Sequence, residues 1–297
     1  MNEAGLEARL RSAVRSGDPE AVRDLLDQGA DPNALDADGL PVLCVAVAAY
    51  DARVAEELAA GGADPDRVLP DGTTPLWRAV DGGSPEVFSA VLGPEPRLRL
   101  PHAERERLLT LARCRYETGA AEELRRRTSA PGPAETVRVR DGEYDRVDQV
   151  SLGGLVMRAG HGAILTSLEW AFRVLTPVDE LIGRAVAQPD EEHVDRSAAC
   201  WVLTQRRSFE TWSAVVAHRR SPDRAHRLFV SGYLRMRGLF DPDSSYEMRE
   251  RDLLAAWAAE ESDGEILARV FEAFTDRDHP AQEAIGLRHA DLLPEIT

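Results

Sequence analysis

Apolar positions return along the first 128 residues of the chain at a step of 33 residues. Leu10, Leu43, Leu76 and Leu109 share one position, Ala13, Ala46, Ala79 and Ala112 a second, and Leu25, Leu58, Val91 and Leu124 a third. Within one interval Leu76 and Ala79 lie three apart on one helical face, while Val87, Phe88, Val91 and Leu92 form the i, i+4 stripe of a second helix. The string DGGSP at residues 81–85 breaks the chain between them. Each of four units therefore reads as helix, short turn, helix and longer turn. None can bury its apolar face alone, so the pattern predicts stacking of units into one continuous core.

The longer turns repeat too. GADPNALDADG at residues 29–39 returns as GADPDRVLPDG at residues 62–72. With DGTTPLWRAVDGGSPEVFSAVL at residues 71–92, these strings closely resemble ankyrin repeats, and the register extends over about residues 5–128. The resemblance implies that each repeated Gly leaves the second helix with positive φ, and that each Asp-Gly tip turns a β-hairpin projecting sideways from the helix pairs. The family's usual His in its TPLH string is Trp77 in the third unit and Cys44 in the second, so the His-mediated bonds from hairpin to helix are missing. The first unit has no upstream hairpin and reads as a cap. The fourth, LLTLARCRYETGAAEELRRR, keeps Leu109, Ala112 and Leu124 but has lost its turn, as a divergent cap or adaptor would.

Residues 125–135, RRRTSAPGPAE, read as a linker. In TVRVRDGEYDRVDQV, Val137 and Val139 alternate with arginines before Asp141-Gly142, which predicts a short β-hairpin. From residue 159 the pattern turns helical. Ile164, Leu165, Leu168, Phe172 and Leu175 make one stripe, and Thr176 and Pro177 open the next helix as N-cap and first helical residue. Helical pairs follow, with Arg196 and Arg227, Ala199 and Val230, and Leu203 and Leu234 related by a step of 31. This loosely resembles HEAT-like repeats, with an irregular helical bundle as the alternative. The expected fold is an all-α helical-repeat solenoid, with ankyrin repeats at 1–128, a linker and short β-hairpin at 129–158, and HEAT-like helices at 159–297.

Charge and chemistry narrow the function. All 36 bases are arginine against 52 acids, for a net charge of -16, and both halves are acidic. The absence of lysine removes Schiff-base chemistry and a Walker-type phosphate lysine. It also matches the codon habits of a GC-rich, actinobacterial type of genome. Neither half reads as a nucleic-acid surface. Cys44, Cys114 and Cys200 are far apart with no CxxC spacing, and the seven histidines form no HxxxH or HExxH pair, so neither metal nor cofactor is expected. No signal-peptide core and no run of 18 apolar residues occur, which predicts a cytoplasmic protein away from membranes.

The remaining motifs have two readings each. His161 in RAGHGAIL sits at a helix start, as a catalytic group or as a capping and packing residue. The string DPDSSYEMRERD begins like a calcium loop, but Tyr246 stands where Gly is needed and Asp252 where a bidentate Glu belongs, so a solvated acidic loop is expected. No G-x-S-x-G elbow is present.

These readings predict a non-enzymatic scaffold that binds a protein partner. By the ankyrin resemblance, the hairpin tips and the ends of the first helices would carry binding: Leu35, Asp36, Ala37, Leu40, Ala48, Val68, Leu69, Pro70, Thr73 and Asp81. The apolar members either form an exposed strip or pack against the neighbouring hairpin. The alternative is an enzyme or nucleic-acid-processing protein on a HEAT-like solenoid, with its site near His161. That reading needs a basic groove, or a pocket where carboxylates meet the histidine.

Overall fold

The computed structural model of the chain describes residues 3–240 and 247–275. Two compact units divide it: Met1–Leu175 together with Glu192–Asp195, and Thr176–Glu191 together with Arg196–Thr297. The architecture is an all-α helical repeat carrying one small sheet. No helix among the described residues is long and apolar enough to cross a membrane.

The first unit opens with three helix pairs: α1 (Glu3–Ser16) with α2 (Pro19–Asp27), α3 (Val42–Ala48) with α4 (Ala52–Ala60), and α5 (Pro75–Gly82) with α6 (Pro85–Leu92). Each second helix starts on a side-chain cap at the same register. Asp18 accepts from the Ala21 N–H at 3.0 Å, Asp51 from Val54 at 3.0 Å and Ser84 from Val87 at 3.3 Å. Such an oxygen satisfies one of the donors a helix start leaves open. The stepped leucines all face inward, with Leu10, Leu43, Leu76 and Leu109 at 0%, 1%, 1% and 6% exposure. Burying each contributes roughly 1.5–3 kcal/mol.

The repeated turns take the conformation the sequence predicts. Gly29 and Gly62 have φ of 92° and 95°, a region that penalises side chains with a β-carbon. Beyond them, the Asp36 N–H donates to the Leu40 carbonyl and the Leu69 N–H to the Thr73 carbonyl, each at 2.8 Å, closing two matching hairpin tips. Asn33 ties one turn to the next: its amide donates to the Gly62 carbonyl at 3.3 Å and its oxygen accepts from the Asp64 N–H at 2.8 Å.

A short helix, α7 (Pro96–Arg99), replaces the next hairpin and leads to α8 (His102–Thr118) and α9 (Ala120–Thr128). The expected β-hairpin is the start of a three-stranded antiparallel sheet, ordered β1 (Glu135–Arg140), β2 (Arg146–Leu152), β3 (Leu155–Arg158). Gly153 and Gly154, both at positive φ, form the two-residue turn between β2 and β3. Val150, Leu152 and Met157 pack from the sheet onto Ala120 and Leu124 of α9.

α10 (His161–Ala171) packs along α8, and Ile164, Leu165, Leu168 and Phe172 join the core of the repeats. The helix expected to open a C-terminal domain at residue 159 thus completes the first unit, because its apolar stripe covers the last repeat. Leu175 lies beyond it and is 80% exposed, so it leaves the predicted stripe. Asp195 returns to this unit because its carboxylate accepts from the Ala163 N–H at 2.6 Å, in the first turn of α10.

The second unit contains α11 (Val178–Val186), most of α12 (Val194–Gln205), α13 (Phe209–Ala217), the 3-10 turn His218–Arg220, α14 (Arg224–Phe240), α15 (Glu247–Glu260) and α16 (Gly264–Thr275). Pro177, rather than Thr176, takes the cap position of α11. α13 and α14 pack on α11, and α16 packs on α14 and α15. Half of the calcium-loop string, residues 241–246, lies outside the described residues, as does the end of the expected HEAT-like range, residues 276–297.

Candidate functional site

α3 and α5 lie side by side, and β3 passes the end of α5. Between them is an open groove of about 370 Å³. Cys44, Val47 and Ala48 come from α3, Arg78 and Asp81 from α5, Arg127 from α9, and Leu155, Val156 and Met157 from β3. Arg78 stands paired with Asp71 of the second hairpin at 2.9 Å.

Tyr50 fastens the sheet to the helices. It follows α3 at φ 56°, and its hydroxyl lies 3.0 Å from the Gly82 carbonyl and 3.2 Å from the Val156 carbonyl. The Arg158 guanidinium stacks over its ring. Arg158 also pairs with Asp141 at 2.6 Å, and Asp141 accepts from the Ser84 hydroxyl and from the Glu86 N–H at 2.9 Å. Burial pushes the Tyr50 hydroxyl up to about 12, so it stays a neutral donor. At Gly83, a β-carbon would lie 1.9 Å from the Arg158 carbonyl, so the strand approaches the α5–α6 turn as only glycine permits.

Under the groove sits an ionic cluster. Asp81 accepts from Arg115 at 2.8 Å and Arg127 at 2.6 Å, while buried Glu123 pairs with Arg115, Arg126 and Arg127 at 3.1, 2.9 and 2.7 Å. Burial raises the Glu123 carboxyl, but hydrogen bonds from Arg126 and Arg127 outweigh it and hold it below the usual range. Asp81 and Arg127 are therefore fixed elements of the wall. His161 Nε2 lies 3.3 Å from the Asp81 carbonyl oxygen, and burial lowers this imidazole to about 4. The Cys44 thiol is pushed by burial up to about 11. His161 is buried and is not part of the groove's lining, and Cys44, which does line it, keeps its proton and so is not the thiolate form that attacks.

The repeated caps, turns and core of the first unit have a family counterpart: the family described as ankyrin repeats (3 copies) matches the chain over residues 10–99. Residues 10–99 are ankyrin repeats. A comparison of the whole chain with curated proteins finds no match.

Of the ten residues marked by the ankyrin resemblance, the groove gathers two, Ala48 and Asp81. The other eight sit on the two ankyrin hairpins. On the first, Leu35 is 39% exposed, Ala37 is exposed and Leu40 is half-buried; Asp36 turns its carboxylate inward to accept from the N–H groups of Asp38 and Leu40 at 2.9 and 2.8 Å. On the second, Val68 is 74% exposed and Pro70 is exposed, Thr73 is half-buried, and Leu69 is buried at 4%. The question of an exposed or packed strip thus divides by residue: Leu35 and Val68 face solvent, and Leu69 packs. The pattern missed Tyr50, Arg127 and the β3 residues of the groove. Tyr50 did leave a signal, since it stands where the 33-residue register has Gly17 and Gly83.

Proposed function

We propose that the chain is a non-catalytic scaffold whose protein partner docks on the ankyrin hairpin tips, at Leu35 and Val68, and in the adjoining groove at Ala48 and Asp81. Ankyrin repeats are generally protein–protein interaction modules. The observation that carries the reading is the groove: it sets the apolar surface of Val47, Ala48, Leu155 and Val156 beside charges already held by their own partners. Stacked helices keep those groups in place before binding, so little conformational entropy is lost on association. The burial of His161 away from the groove's lining supports binding over catalysis. The net charge of -16 supports a protein over a nucleic acid.

The 31-residue step in the second unit supports HEAT-like helical pairs there. Free Cys44, Cys114 and Cys200 support a reducing cytoplasm, and the all-arginine bases support a GC-rich bacterial source.

A photo-cross-linking residue placed at Ala48, at Val68 or at exposed Glu210 of α13 tests the reading in a host lysate. Capture of one partner from Ala48 and Val68, and none from Glu210, is expected. Capture from Glu210 alone, or turnover of a substrate that His161→Gln abolishes, contradicts it.

A further inference from the structure

The second unit holds an open polar pocket of about 330 Å³, walled by the 3-10 turn on one side and by the end of α15 on the other. Its charges do not cancel. Arg220 pairs with Glu260 at 3.3 Å, both largely exposed, and Arg227 pairs with buried Glu261 at 3.2 Å. Arg219 makes no direct ion pair among the described residues, and Glu260 acts on it only through space: Nη1 reaches the Val216 carbonyl at 3.3 Å, and Nε is buried with no hydrogen-bond partner. Burial, then the neighbouring Arg220, holds its guanidinium below the usual arginine value.

Glu261 is not available to answer that charge. Its carboxylate already accepts from the Trp257 indole N–H and from the N–H groups of Ser262 and Asp263, each at 3.0 Å. Arg227 is likewise committed, donating to the Ser221 carbonyl at 3.0 Å and so fixing that loop. Two hydroxyls line the same pocket: Ser221, whose oxygen accepts from the Asp223 N–H at 3.2 Å and whose proton remains to donate, and Ser262.

We propose that this pocket binds a phosphate group, with Arg219 and Arg220 as its cations, the Ser221 and Ser262 hydroxyls as further donors, and Glu260 displaced from Arg220. A tetrahedral oxyanion has acceptors for all four groups, and charge-assisted bonds to guanidinium are the strong ones. Arg219 answers the first negative charge. Arg220 answers the second once the exposed Glu260 turns away.

Titration calorimetry on the full chain at low salt, with inorganic phosphate, O-phosphoserine and acetate, tests this. Both phosphates should saturate one site, and acetate should bind more weakly. Arg219→Gln should weaken phosphate by about tenfold or more, the scale of one charge-assisted contact. Glu260→Gln should tighten it by about twofold to fivefold, the range of an exposed ion pair, a gain that a purely structural Arg219 would not produce. Tighter binding of phosphoserine assigns the group to a phosphorylated residue, and equal binding to free phosphate. No saturable phosphate binding, acetate bound as tightly as phosphate, or phosphate binding unchanged by Glu260→Gln overturns the proposal.

Discussion

The Arg158 guanidinium lies 4.5 Å from the centre of the Tyr50 ring, and this contact carries the sheet onto the ends of the ankyrin helices. The register places Tyr50 level with Gly17 and Gly83, and all three have positive φ, at 56°, 66° and 78°. Neighbouring repeats use glycine there because a β-carbon is strained in that region. The second repeat accepts that strain and gains an anchor for β3.

Replacing Tyr50 separates the two contributions. Tyr50→Phe keeps the stacking and loses the hydroxyl, and should cost about 0.5–1.5 kcal/mol in thermal or urea unfolding. Tyr50→Gly relieves the backbone but removes the ring, and should cost about 2–4 kcal/mol. A glycine variant as stable as the parent would mean that the ring anchors nothing.

Two glycines predict different losses for different reasons. At Gly62 an added β-carbon meets nothing within 4 Å, so Gly62→Val should lose about 1–3 kcal/mol through backbone strain alone. At Gly83 the β-carbon also strikes the Arg158 carbonyl, so Gly83→Ala should cost about 3 kcal/mol or more, or detach β3. Hydrogen exchange in residues 155–158 distinguishes these two results, and unchanged protection with an unchanged melting point would refute the close approach.

Leu109 is buried although its repeat has lost the hairpin. Leu109→Ala should cost about 2–5 kcal/mol, as for a core leucine. A change within about 0.5 kcal/mol, typical of a surface site, would make the fourth member of the register an accident of spacing.

What the sequence made legible follows from which forces act locally. Core leucines, turn glycines and hairpin tips recur every 33 residues because each repeat faces the same neighbours, so their spacing alone reports them. The caps Asp18, Asp51 and Ser84 obey the same step, though two residue types share one role there. Leu69 was harder to place: it occupies the position of Asp36, whose carboxylate braces the first tip, so one register position hosts opposite chemistries. The groove was hidden because β3 and Arg127 reach it from about 50 to 100 residues away, and only the tyrosine at a glycine position hinted at their arrival. The place of α10 was hidden for a related reason. The stripe of α10 shows that it must be buried, but not that α8 is what buries it.

His161 makes stability depend on pH. Its folded value of about 4 lies below the ordinary 6.5, so the unfolded chain takes up a proton first as pH falls. The contribution is fully present above about pH 6.5 and is lost progressively down to about pH 4, amounting to about 3 kcal/mol. Unfolding free energies measured between pH 7 and pH 4 should therefore fall less steeply for His161→Gln than for the parent. Parallel curves would place the pH dependence elsewhere.

The central claim is that the ankyrin hairpins and groove bind the partner, and its most direct test is the affinity of the captured partner for a folded Val68→Ser, Ala48→Arg double variant. Val68 is chosen over buried Leu69, and an arginine at Ala48 fills the groove without touching the core. The account predicts a loss of at least about tenfold, or about 1.4 kcal/mol, with Glu210→Ala, at an exposed position of α13, leaving affinity unchanged. A folded double variant that binds as the parent does, while Glu210→Ala loses affinity, would contradict it.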